Sequence, residues 1–234
     1  MQFLENLETP WKEPTQKRGR DRVAQIVAAA RELIAEGGLA NLKMGLLAKR
    51  AGVPIGTVYQ FFPDKDAVIG RIFLDQMENA IQEVWDYCHP GRPLISPAVE
   101  ATAIIEPKFQ EWRADPVMAE IWSIVQANRT LRHFNLEASR VVGNIMAGAL
   151  EPFLKPGTSR ERLTRVCFMI GDLFDATLRT ALDFSQEESA AYVREYTLMI
   201  RIHLDSLLVT PADGGPPDAA SADRSALSAA VPDS

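Results

Sequence analysis

Between Lys17 and Lys65 the chain gathers nine cations, Lys17, Arg18, Arg20, Arg22, Arg31, Lys43, Lys49, Arg50 and Lys65. Only Asp21, Glu32, Glu36 and Asp64 oppose them, so this stretch is net +5 in a chain of net −6. Inside it Thr57, Tyr59 and Gln60 supply two hydroxyls and an amide within four residues. Cations neutralise phosphate, and hydroxyl and amide groups bond to phosphate oxygens or to base edges, so these residue types point to nucleic-acid contact. Residues 1–16 carry −2 and everything from Asp66 onward carries −9. That asymmetry is expected when only one end of a protein meets phosphate.

Other chemistries find less support. No glycine-rich phosphate loop, nucleophile elbow, zinc-binding helix motif or supported carboxylate pair occurs, which leaves an enzyme with an all-α body as a weak alternative. Cys88 and Cys167 are far apart and match no metal or redox spacing, so reduced thiols are expected, with Cys167 buried in an apolar stripe and inert. His133 and Glu137 lie one helical turn apart, but two such common residues make a surface pair rather than a metal site. No metal and no cofactor is expected. The acidic N-terminus has no basic and apolar leader pattern, and no segment is apolar for long enough to cross a bilayer, so a cytoplasmic protein with no membrane partner is expected.

The elements that position these residues read as helices. With 234 residues, 47% of them hydrophobic, the chain can bury a real core, and strand signals are scarce. Val23, Ile26, Val27, Ala30, Leu33 and Ile34 form one stripe that ends at Gly37-Gly38. A second short helix begins about Leu46, Pro54 opens a third, and Asp64 caps a fourth running to about Tyr87. Past a break at His89-Pro90-Gly91-Arg92-Pro93, periodicity predicts helices at roughly 95–114, 116–128, 130–151, 160–183 and 186–208, with Pro107 kinking or dividing the first. From Thr210 the composition turns to Pro, Gly, Ala, Ser and Asp, which predicts a disordered tail.

The second and third helices meet the demands of a helix-turn-helix. Ala48 is small where the helices touch, Gly52 sits at the turn, and Leu47, Ala51, Val53, Val58 and Phe61 fall inward. Lys43, Lys49, Arg50, Ile55, Thr57, Tyr59 and Gln60 are left to face outward. The whole run LKMGLLAKRAGVPIGTVYQFFPDKDAVI, after a first helix ending in glycines, resembles the DNA-binding domain of the tetracycline-repressor (TetR) family over about residues 20–70. Its densest match runs from Ala51-Gly52-Val53 through Gly56-Thr57-Val58-Tyr59-Gln60-Phe61-Phe62 to Lys65.

The resemblance implies that the helix from Pro54 to Phe61, Gly56 included, enters the major groove of double-stranded operator DNA. It implies that Tyr59 binds phosphate and base edges, with Thr57 and Gln60 beside it, and that Lys65 touches the DNA backbone. The chain departs from the family pattern at three positions. Lys43 stands where threonine or serine is frequent, Gly45 where arginine is, and Ile55 where a polar or basic residue is. Lys43 still reaches phosphate; Ile55 reads a thymine methyl or nothing. Lys17, Arg18 and Arg20 either form a minor-groove arm or stay solvated.

For the body, the resemblance implies a ligand-binding and dimerisation domain and repression as the default output. The last two helices, carrying Leu163, Val166, Ile170, Phe174, Thr177 and Ala181 on one and Tyr192, Tyr196, Met199, Ile200 and Leu204 on the other, exceed what one buried face needs. They either pack within one subunit or join two copies in a homodimer, and a two-headed reader of DNA favours the homodimer. Phe109, Trp112, Trp122, Phe134 and Phe168 are core residues individually, but the resemblance implies that some line a cavity, with His133, Asn144 or Asp172 as polar anchors. Such a cavity suits a hydrophobic small-molecule effector. The competing class is an architectural DNA-binding protein that needs no ligand. The expected layout is all-α: a flexible segment 1–16, a three-helix DNA-binding domain 17–66, a helical ligand-binding and dimerisation domain 67–209, and the tail 210–234.

Overall fold

Apolar side chains recurring every three to four residues give the backbone one way to bury them, and the chain takes it nearly throughout. A computed structural model describes residues 7–88 and 96–210. They form α1 (Lys17–Asn41), α2 (Met44–Arg50), α3 (Ile55–Phe61), α4 (Lys65–Tyr87), α5 (Pro97–Thr102), α6 (Ile105–Ala114), α7 (Pro116–Ile124), α8 (Arg129–Leu150), a 3-10 turn (Glu151–Phe153), α9 (Arg160–Leu182) and α10 (Gln186–Leu207). Among the described residues the only β feature is an isolated bridge between Leu154 and Leu208, so the protein is all-α. The break expected at 89–93 and the tail expected beyond Thr210 lie outside the described residues.

The described residues divide into two compact units, one built from 7–77 and 113–134, the other from 78–88, 96–112 and 135–210. In the first, α1 buries Val23, Ile26, Ala29, Ala30, Leu33 and Ile34. Its regular helix breaks at Gly37–Gly38, where Gly38 takes φ +66. A side chain there would be strained by that φ and would also meet the Glu120 carboxylate at 2.8 Å. The same carboxylate accepts from the Leu39 N–H at 3.0 Å, and Arg31 Nη2 donates to Asp115 Oδ2 at 2.5 Å, which ties α7 along α1. Asp115 also caps α7, accepting from the N–H groups of Val117 and Met118. Asp64 caps α4 through the Ala67 N–H at 2.8 Å, as its position predicts.

One expectation for the N-terminal end needs correction, and one left open is narrowed. The segment expected to be flexible before residue 17 carries Trp11, which is 5% exposed, because an indole has a large apolar area to bury and finds a place for it here. Lys17, Arg18 and Arg20 are not an extended arm; they form the first turn of α1, and Arg20 Nη1 donates back to the Thr15 carbonyl at 2.8 Å.

In the second unit α9 packs along α10, and α5 also packs on α10. Ser159 caps α9, and a reciprocal pair of Ser185 and Glu188 caps α10. Pro107 lies in the first turn of α6, a position that tolerates proline, and the helix expected at 95–114 divides just before it, between Thr102 and Ile105. A Cβ on Gly143 would come within 2.7 Å of the Phe168 backbone, so α8 and α9 cross closely there. Lys108, 8% exposed, is neutralised by Glu83 and Glu111.

The interior of this unit also holds polar side chains on facing turns of α8 and α9: Asn135, Ser139, Asp175 and Thr177 are all less than a tenth exposed. Burial pushes the Asp175 carboxyl up to about 7, while hydrogen bonds from Asn135 and Ser139 and the charge of Arg179 pull it down. An unfolded aspartate titrates near 3.8, so the folded chain holds this proton more tightly. Its stabilising contribution is full below that value and is lost as pH rises through about 7. Asp175→Asn keeps the shape and removes the ionisation. Relative to the parent, the variant is expected to gain stability with rising pH, by at most about 4 kcal/mol, and to level off above pH 7. Thermal melts from pH 4 to 8 measure this; parallel profiles would contradict it.

Candidate nucleic-acid interface

The α2–α3 pair is built as a helix-turn-helix. Leu47, Ala48, Ala51, Val53, Val58 and Phe61 are buried, which fixes the inward sides of both helices. Gly52 makes the turn at φ +63, and the Val53 N–H closes it on the Ala48 carbonyl at 3.0 Å. Pro54 is extended at ψ 141 and acts as the N-cap of α3 rather than its first helical residue; the Thr57 N–H bonds to its carbonyl at 2.8 Å.

With one side of α3 buried, the other carries the residues singled out from sequence. Ile55 is 48% and Tyr59 51% exposed, so an apolar and an aromatic side chain stand out from the helix together. Pro54, Gly56 and Gln60 are exposed and Thr57 is half-buried. Lys43, the N-cap of α2, and Lys65, the first residue of α4, are exposed at the flanks. A Cβ built on Gly56 or Gly45 would meet nothing within 4 Å, so the backbone is open to close approach along this side.

Arg50 does not join this face as a free cation. Its guanidinium donates to Glu36 at 2.8 and 2.9 Å and to Glu32 at 3.2 Å, clamping α2 onto α1. The pairing lowers the Glu36 carboxyl below the usual range. Sequence spacing does not reveal this bond because the acids lie 14 and 18 residues upstream.

The eight residues expected to line a ligand cavity are distributed over both units. Trp122 and Phe134 belong to the unit of the helix-turn-helix, where Trp122 meets Phe73 edge-on at 5.2 Å and Phe134 meets Trp11 at 5.7 Å. Phe109 and Trp112 are buried in the other unit, and Trp112 lies 5.5 Å from Phe174. Phe168 is half-buried beneath the Arg140 guanidinium at 5.5 Å. The polar anchors are corrected: His133, Asn144 and Asp172 are exposed because they occupy the outward sides of α8 and α9. The inward polar positions are Asn135, Ser139 and Asp175, detectable in sequence only as polar residues inside an apolar period. Glu137 pairs with Arg140 at 3.3 Å. Among the described residues no three histidines, cysteines or carboxylates cluster as metal ligands. Burial pushes the Cys167 thiol up to about 12, which leaves it inert.

A buried helix pair with a glycine turn, an exposed polar and apolar face on its second helix, and cations at both flanks define a helix-turn-helix DNA-binding protein. Residues 26–72 match the model of bacterial regulatory proteins of the tetR family, and residues 98–208 match that of the tetracyclin repressor-like C-terminal domain. The chain belongs to the TetR family of transcriptional regulators. It is 29% identical over 171 residues to the fatty acid metabolism regulator protein of Bacillus subtilis (strain 168), covering 70% of this chain and 85% of that one. It is 26% identical over 167 residues to the HTH-type transcriptional regulator BetI of Burkholderia thailandensis, covering 69% and 82%. Its fold is shared with SmeT, the repressor of the Stenotrophomonas maltophilia multidrug efflux pump SmeDEF, at TM-score 0.61 and 18% identity, covering 80% of this chain and 90% of that one. No helix among the described residues is long and apolar enough to cross a membrane.

Proposed function

We propose that the chain is a homodimeric repressor whose two α3 helices read a pseudo-palindromic operator and which leaves it when a largely apolar small molecule binds the helical unit. The observation that carries this reading is the side of α3 that leaves Ile55 and Tyr59 half exposed beside Thr57 and Gln60 while the opposite side is fully buried. Tyr59 and Lys65 position the protein on phosphate, and Ile55 and Thr57 choose among sequences.

The dimer has its own support. Much of the apolar stripe read from sequence packs inside the subunit, Leu163, Ile170, Ala181 and Leu204 being buried. A second set, Met169 and Leu173 on α9 and Leu198, Met199 and Ile202 on α10, stays 39–65% exposed. Leu198, Met199 and Ile202 recur at three- and four-residue steps and so share one side of α10. An exposed apolar row of that length is a place for a second copy.

An apolar effector is supported by the aromatic content of the helical unit, where Phe174 lies 5.5 Å from Trp112 and 6.4 Å from Tyr196 between ring centres. A relative named for fatty acid metabolism agrees with it. The buried polar set around Asp175 gives such a ligand one polar contact. Asn135 Oδ1 and Arg179 Nη1 are buried with no hydrogen-bond partner among the described residues, and groups left so normally meet a partner. The ligand acts by binding one conformation better than the other; a differential affinity of roughly 100-fold, near 2.7 kcal/mol, suffices.

The test is selection of bound fragments from the source genome, followed by a thermal-shift screen of hydrophobic compounds and an operator-release assay on the hits. Enrichment of one two-fold-related sequence and its release by an apolar hit are expected. Cooperative coating of any duplex would support an architectural protein instead, and release by a nucleotide alone would overturn the apolar effector.

A further inference from the structure

The recognition helix is only seven residues long, Ile55–Phe61. Two turns of helix are marginal on their own, and the last carbonyls of any helix lack partners within it. In this chain the partner for the last one comes from outside the helix-turn-helix. The Lys12 N–H donates to the Phe61 carbonyl at 2.9 Å, so the segment ahead of α1 crosses the end of α3 and bonds to it.

That segment is anchored on both sides of the bond. Just before it, the Trp11 indole is 5% exposed and meets Phe134, near the start of α8, edge-on at 5.7 Å. Its seat on α4 exists because residue 70 is glycine: a Cβ there would come within 2.9 Å of Trp11 Cζ3. The indole Nε1 donates to Glu13 Oε1 at 2.6 Å, and the same oxygen accepts from Arg71 Nη1 at 2.5 Å, one residue along α4 from the seat. Arg71 is held in turn by Asp75 at 2.7 Å. Just after it, Pro14 lies against Gly19, and the Thr15 and Gln16 carbonyls accept from Arg20 at 2.8 and 3.1 Å. All of these residues lie in the unit that holds the helix-turn-helix.

We infer that residues 9–16 are a strap that positions the recognition helix, with Trp11 as its anchor, Gly70 as the seat and the Lys12 N–H as the link to α3. Trp11 is a positioning residue: it touches no base or phosphate and acts through the end of α3. Side chains that read base edges tolerate displacements of well under an ångström, whereas phosphate contacts are more forgiving. Loosening the strap therefore costs discrimination before it costs general affinity. The inference rests on the DNA-reading assignment for its output, but the strap itself is measurable without DNA.

The experiment compares full-length wild type with Trp11→Ala, Trp11→Phe, Lys12→Pro, Gly70→Ala and the Trp11→Ala/Gly70→Ala double variant. Lys12→Pro removes the linking N–H without deleting the indole. Two readouts are taken: amide hydrogen exchange across α3 and α1 without DNA, and the affinity ratio between a duplex selected by the wild type from a random pool and a scrambled duplex. Trp11→Ala, Lys12→Pro and Gly70→Ala are each expected to speed exchange in α3 at least tenfold, with α1 unchanged, and to lower the affinity ratio at least tenfold. Scrambled-duplex binding should stay within about twofold, and Trp11→Phe should recover most of the ratio. Gly70→Ala should cost nothing further once Trp11→Ala has emptied the seat.

Should Trp11→Ala fail to fold, Lys12→Pro and Gly70→Ala decide, since neither removes a core side chain. The strap is overturned if α3 exchange is unchanged in these two variants, or if specific and scrambled binding fall in parallel. A Gly70→Ala loss that persists in the Trp11→Ala background would overturn the seat. If the wild type selects no sequence, the DNA-reading assignment fails, and α3 exchange alone still decides the strap.

Discussion

Met199→Asp combined with Ile202→Asp is expected to turn the dimer into monomers and to weaken operator binding at least 100-fold. Both side chains lie on the outer side of α10, 65% and 60% exposed, so the substitutions remove little from the subunit's own core. In a two-fold interface each position lies near its own copy or a close neighbour, so two substitutions bury four carboxylates against each other. Such charges have no partner and cannot be desolvated without a large penalty. Separating the two heads also removes the second, effectively intramolecular, half-site interaction, which is worth roughly 10²–10⁴ in affinity. Sedimentation at micromolar concentration and a gel shift on the selected duplex measure the two effects. A variant that stays dimeric would remove α10 from the interface. One that is monomeric yet binds as before would separate dimerisation from DNA reading.

The second large effect is expected from Tyr59→Ala and Lys65→Ala. Both residues are exposed, and Tyr59 lies on the side of α3 opposite the buried Val58 and Phe61, so melting temperatures should hardly move. Removing one such side chain from a DNA interface costs roughly 1–3 kcal/mol, and a dimer bears that cost twice. The combined variant should therefore bind at least 100-fold more weakly, and across many sequences alike, because phosphate contacts carry register and not sequence. Lys65→Ala alone should reduce the slope of log affinity against log salt by about one per half-site. Ile55→Ala and Thr57→Ala should instead reorder preferences among sequences. Unchanged affinity in the combined variant would remove this docking surface.

How far these features are legible in the sequence depends on how local their causes are. The helix-turn-helix is set by interactions within about fifteen residues, so the inward positions Leu47, Val58 and Phe61 and the outward Ile55 and Tyr59 follow from helical period alone. The helix ends at Asp64 and near Tyr87 are readable for the same reason. What depends on distant partners is not. Arg50 reads as one more surface cation until α1 brings Glu32 and Glu36 to it. Trp11 sits in a polar, proline-flanked stretch with no period, and only the slot at Gly70, 59 residues later, explains its burial. The polar anchors follow the same rule. Residue type points to His133, Asn144 and Asp172, but the packing of α8 on α9 decides which side faces inward, and it turns Asn135, Ser139 and Asp175 there instead.

The most direct test of the central assignment is a hydroxyl-radical footprint of the full-length protein on its selected duplex, with the number of bound chains counted at saturation. Two α3 helices on a two-fold dimer require two protected patches related by the operator's dyad, about one helical turn or roughly 34–36 Å apart, with two chains bound for each pair of patches. Protection that spreads along any duplex as protein is added, or a single patch filled by one chain, would contradict a dimeric, sequence-reading regulator.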